Sequence, residues 1–283
     1  MNATTEPEPP AAAIGCGRGH HLGRAVHAEW TKLRTVPSTP WLVLAAVAFT
    51  VAASAALTTS VDTSLCPSPL ECHEDTTKLS LGGVQLGQVA VVVLAVLAIT
   101  GEYAAGTIQT TLAARPRRSA VLLTKAAVVT ATVLAAGTLG VPGSLAAGRA
   151  ILPGNGFTAA NGYPPLSLAD GPTLRAAAGT VLYLGLVALL SVGVGTAVRD
   201  SAGAIVTVLT LLYVFPTIAT FVTDPQWHER LEKLAPMTAG LMIQATRDLE
   251  RLPLRPWAGL AVLAAYAGAA MLLGVVLFAT RDA

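Results

Sequence analysis

Apolar residues run through six stretches of twenty or more positions, 41–60, 79–100, 126–148, 176–198, 202–223 and 257–280, with almost no charge inside them. A helix rises about 1.5 Å per residue, so each stretch is long enough to cross a hydrocarbon core of roughly 30 Å. Backbone groups in lipid must bond to one another, and these runs lack the alternation of a membrane barrel, so they predict helices. The expected fold is an all-α membrane protein with six transmembrane helices over 22–283, after a disordered tail over 1–21.

A different period precedes the first span. Wound at about 100° per residue, Leu22, Val26, Trp30 and Leu33 fall within roughly 80° of arc, with Arg24, His27, Thr31 and Arg34 opposite. That pattern predicts a short amphipathic helix in the membrane interface with its basic side in water. The alternative, a solvated helix on a soluble partner, is disfavoured because a span follows within a few residues. Residues 35–40, with Pro37 and Pro40, break this helix.

The connections differ in kind. Arg199-Asp200-Ser201 joins spans four and five almost directly and predicts a tight antiparallel hairpin. The stretch 224–256 is too long for a simple connector, and its apolar part, 234–245, is about half a span, which predicts a re-entrant or interfacial helix.

Composition agrees: 53% of the 283 residues are hydrophobic and 12% charged, against roughly 25% charged in soluble domains. The net charge of +2 makes nucleic acid an unexpected partner. Trp30, Trp41, Trp227 and Trp257 fall at or near span edges or in loops, where amphipathic rings meet headgroups. Residues 1–21 lack the apolar region of a secretory signal, so Ala13-Ile14-Gly15-Cys16 resembles a lipoprotein box only superficially.

Basic residues set the expected orientation. Arg18, Arg24, Lys32 and Arg34 precede span one, and Arg115, Arg117, Arg118 and Lys125 surround the second loop, against Lys78 alone in the first loop. The positive-inside rule then predicts two cytoplasmic termini. Cys66 and Cys72 fall in the first outer loop, where a disulfide is permitted; two free thiols are the alternative.

The six runs hold no Asp, Glu, Lys, Arg or His in their interiors, the groups that ion-coupled transporters use at mid-depth. Gln85 and Gln88 are the strongest polar groups there, expected to bond helix to helix. Ser144 has no intramembrane His to activate it. No phosphate-binding loop of the G-x-x-x-x-G-K-[ST] type occurs, so energy for transport would enter from another polypeptide. No catalytic, cofactor or metal residues are expected.

One inner loop carries a pattern: Glu102 and Tyr103 end the second span, then come Gly106-Thr107, Leu112, Pro116-Arg117-Arg118 and finally Lys125, opening the third. Thr107 is a plausible helix cap and Pro116 a stop. This loop resembles that of the ATP-binding-cassette type-2 permeases. Ala28-Glu29-Trp30-Thr31-Lys32-Leu33-Arg34, with its E-x-x-K-L core, is similar to the family's amphipathic helix. The stretch 192–203 resembles its hairpin between spans four and five, and Arg281-Asp282-Ala283 resembles endings of actinobacterial-type members.

The resemblance implies the permease subunit of an ATP-driven exporter in a bacterial plasma membrane. A coupling helix after span two would dock on a separate ATP-binding subunit, with Glu102, Tyr103, Gly106, Thr107, Leu112, Pro116, Arg117, Arg118 and Lys125 forming the elbow. Glu29, Trp30, Lys32 and Leu33 would brace it, and a second permease copy, identical or different, would complete the path among membrane lipid. Glu102 would hold the elbow through backbone or arginine partners. A membrane scaffold without a transport path and an ion-coupled secondary transporter are the alternatives.

Overall fold

The helices begin and end where local chemistry dictates. The computed structural model describes residues 18–65, 74–104, 106 and 118–280, and among these there is no strand. Among the described residues six helical segments are long and apolar enough to span a membrane: Ser38–Thr59, Thr76–Ala104, Ser119–Asn155, Gly171–Val198, Ser201–Ile218 and Pro256–Thr280. The chain is an all-helical, multi-pass membrane protein. An N-terminal helix, Arg18–Thr35, precedes them, and a bend at Val36 and Pro37 separates it from the first span.

Caps mark several starts. The Asp170 carboxylate accepts from the Thr173 N–H at 3.3 Å, and that of Asp200 from the Gly203 N–H at 2.6 Å. Arg199, in the left-handed region at φ 62°, turns the chain between spans four and five within two residues. The tight hairpin expected there is present.

Several span limits differ from the hydropathic reading, two of them at charged residues. The third helix starts at Arg118 instead of about 126, so Lys125 sits two turns inside it rather than at its mouth. Likewise Glu102 lies within the last turn of the second-span helix. Charge ends an apolar run without ending a helix, because Arg, Lys and Glu are good helix formers. The fifth span carries a π-helical turn, Thr210–Val214. Pro216 follows, and its ring clashes with the carbonyl four residues back, which an extra residue in the turn relieves.

Spans two, three and four bury 61, 56 and 61% of their most apolar windows inside the chain, against 22, 17 and 22% for spans one, five and six. The first set is therefore the core, and the second turns its outer surface to lipid or another polypeptide. Span four packs on spans two, three, five and six, and span one on spans two and three.

Close approach depends on glycine. A Cβ on Gly83 would overlap the Thr50 carbonyl and Ser54, and one on Gly87 would overlap the Thr50 hydroxyl. With Cβ absent, the Gly83 N–H reaches the Ser54 hydroxyl at 3.1 Å and the first two spans pack backbone to backbone. In the interior, Tyr183 donates its hydroxyl to Gln88 Oε1 at 2.5 Å, joining spans two and four as a glutamine there was expected to do.

Opposite the N-terminal helix, three connections interlock. The stretch expected as a half-span folds as Pro236–Leu241 followed by one 3-10 turn, with Ala239, Met242 and Ile243 buried against spans four and six. Asp75, which caps the second span, also accepts from the Thr246 hydroxyl at 2.8 Å and the Arg247 N–H at 3.0 Å. Arg247 in turn lies over the Tyr163 ring at 4.5 Å and donates to the Gly162 carbonyl at 2.9 Å.

Candidate functional site

The N-terminal helix presents Glu29 and Lys32 to the bundle. Positions three apart share one face of a helix, so both meet the ends of spans two and three together. Lys32 Nζ lies 3.1 Å from Glu29 Oε1 and 3.0 Å from Glu102 Oε1. Lys125 Nζ lies 2.7 Å from Glu29 Oε2 and 2.9 Å from Glu102 Oε1. Two carboxylates and two ammonium groups thus alternate in a closed ring of zero net charge.

Burial gives the ring its weight. Side-chain exposure is 5% for Glu29, 7% for Lys125 and 14% for Glu102, but 44% for Lys32. A single charge so placed would be costly, whereas alternating signs offset the loss of water and fix the register of the three helices. Burial opposes the charge on Glu29, yet Lys125 and Lys32 beside it hold its carboxyl below the ordinary value of 4.5. For Lys32, partial burial opposes the charge, and the Glu102 and Glu29 carboxylates outweigh it, keeping the ammonium above its ordinary 10.5.

Tyr103 faces another way, because successive helical residues point about 100° apart. Its ring stands edge-on to Phe278 of span six, centroids 6.5 Å apart, and the Arg199 guanidinium lies 5.3 Å above it. One turn earlier, Thr100 accepts from the Ser201 hydroxyl at 2.7 Å, at the start of span five. Thr100, Glu102 and Tyr103 together therefore reach the N-terminal helix and spans three to six. Gly106 follows at φ 65°, and its N–H bonds to the Tyr103 carbonyl at 3.2 Å, a left-handed turn that suits glycine.

Beside the ring lies a cavity of about 620 Å³ between the N-terminal helix and the first three spans. Its wall is apolar, with Leu33, Leu42, Leu94, Leu97 and Val129, and its charged groups are Glu29, Lys32, Glu102 and Lys125. Among the described residues no group of three His, Cys, Asp or Glu is placed to hold a metal ion.

The structure unites Glu29, Lys32, Glu102 and Lys125, four residues singled out in sequence. Among the described residues Glu102 meets Lys32 and Lys125, partners that sequence reasoning did not name; each lysine carries a single ammonium that two carboxylates share. Leu33 packs on the core, whereas Trp30 is 46% exposed and stays outside the ring with Val26. Arg118 is the first residue of the third-span helix. Thr107, Leu112, Pro116, Arg117 and the pair Cys66 and Cys72 lie outside the described residues. Sequence reasoning missed Arg199 and Phe278 as partners of Tyr103. It also missed Asp75, although an acid directly before Thr76 is a helix-cap signal.

No protein-family model matches the sequence, and no curated protein is detectably similar to it. Among the described residues, six helices long and apolar enough to cross a membrane, with the charged ring at the ends of the second and third, make this a multi-pass membrane protein.

Proposed function

We propose that the chain is the permease subunit of an ATP-driven exporter, working with a separate ATP-binding subunit that docks on the segment after Glu102. The observation that carries this reading is the position of Glu102 and Tyr103 immediately before that segment, in contact with the N-terminal helix and with spans three, four and six. Force applied there reaches nearly every helix. Neutral rings of buried ion pairs can switch partners without exposing a net charge, which suits an elbow that must move. The exposed outer surfaces of spans one, five and six fit a second permease copy and lipid. In this reading the N-terminal helix and the ring face the cytoplasm of a bacterial cell, and both termini lie on that side.

The test is ATP hydrolysis by the membrane complex purified through this chain and reconstituted in liposomes. Wild-type complex should hydrolyse ATP, and Glu102→Ala should uncouple hydrolysis from transport while the chain still inserts. Substrate movement by the chain in liposomes free of any ATPase would overturn the proposal. Uptake that follows an imposed proton or sodium gradient would favour an ion-coupled carrier instead.

A further inference from the structure

A second cavity, about 760 Å³, opens at the other end of the bundle, where spans four and six begin. Arg175, in the first turns of span four, and Arg255, directly before span six, both line it, with Trp257, Leu249 and Leu252. Cavities of some 300–1,000 Å³ suit small ligands and headgroups.

Its electrostatics favour an anion. Among the described residues neither arginine has a carboxylate within ion-pair distance, and Glu250 is the one acid in the lining. Arg175 spends one terminal nitrogen on the Ala245 carbonyl, at 2.5 Å, while its buried Nε has no hydrogen-bond partner. A buried donor left unmatched is uncommon and asks for an acceptor. The sixth-span helix adds its positive end, since Pro256, Trp257 and Ala258 also line the cavity and no acid occupies that first turn.

The geometry points to a binding site for a phosphate group, held between Arg175, Arg255 and the start of span six, with a lipid phosphodiester as its source. Guanidinium groups meet phosphate oxygens in pairs, a geometry that an ammonium cannot supply. Trp257 is 56% exposed at the edge of a span, the level of the headgroups, and Leu249 and Leu252 give the glycerol and upper acyl chain an apolar footing. The site is separate from the ring at Glu102 and owes nothing to the proposed coupling.

The test is native mass spectrometry of the purified chain titrated with phosphatidylglycerol, against phosphatidylcholine and against inorganic phosphate. Wild type should retain phosphatidylglycerol, and Arg255→Gln, at an exposed position that leaves folding intact, should bind it about tenfold more weakly, the loss of one charge-assisted bond. Arg255→Lys should recover only part of the loss, and Glu250→Gln should tighten binding. Displacement of the lipid by millimolar phosphate would support the site with a soluble phosphate as its source. Equal retention by wild type and Arg255→Gln, or equal retention of both lipids, would overturn the proposal.

Discussion

Lys125 Nζ lies 2.7 Å from a Glu29 oxygen and 2.9 Å from a Glu102 oxygen, so one ammonium in the third span ties together the N-terminal helix and the second span. Removing it would leave two buried carboxylates with only the half-exposed Lys32 between them. Lys125→Met should cost about 3 kcal/mol, the lower end for breaking a buried pair. Lys32→Ala should cost less than about 1 kcal/mol, because solvent screens that side chain. Thermal unfolding of both variants in detergent checks the order.

The ring also sets a pH dependence. Glu29 has its carboxyl lowered in the fold, so its contribution is complete above about 4.5 and disappears as pH falls through the lower folded value. Lys32 is raised, so its contribution is complete below about 10.5 and disappears only as pH rises beyond its folded value. The contributions of Glu29 and Lys32 to the melting temperature should therefore be flat between those limits, and that of Glu29 should fall below the first. Glu29→Gln should flatten that acid limb when both chains are melted between pH 7 and pH 3.5.

Gly83 predicts a steric effect of definite sign. Gly83→Ala would drive a methyl group into the Thr50 carbonyl and Ser54, and should destabilise by about 1–3 kcal/mol. Gly101→Ala, inside the helix that follows in the same span and with nothing within 4 Å of the new carbon, should be neutral or slightly stabilising. Parallel melts of the two variants separate close packing from helix propensity.

Asp75 predicts a local effect. Its carboxylate accepts from Thr246 and Arg247, and Asp75→Ala removes these bonds together with its cap on the Lys78 N–H at the start of span two. Backbone hydrogen exchange around Thr246 and Arg247 should accelerate about tenfold or more, with exchange in the core of span four unchanged.

The six spans were legible because an unbroken apolar run has one solution in lipid, and the hairpin at Arg199 because three residues leave no room for another. The ends of the spans were less so: Lys125 broke the apolar run while the helix ran on to Arg118. Glu29, Lys32, Glu102 and Lys125 could each be named from local pattern. Their convergence could not, because the pairing of Glu29 with Lys125 is set by how three helices pack, which no local spacing encodes. The same holds for Tyr103 with Arg199, and for Asp75 with Thr246. The burial of the apolar stretch 234–245 against spans four and six depends on Gly179 and Gly259, which lie outside it, so its own residues could not announce it.

Cysteine crosslinking from the end of the second span tests the proposed division of labour most directly. In a chain whose native cysteines are replaced by serine, Ala104→Cys places a thiol at an exposed position two residues beyond Glu102. In inside-out membrane vesicles it should form an adduct with a Walker-type ATP-binding subunit, and in intact cells it should resist a membrane-impermeant maleimide. Modification in intact cells, with no ATPase adduct in the vesicles, would contradict the proposal.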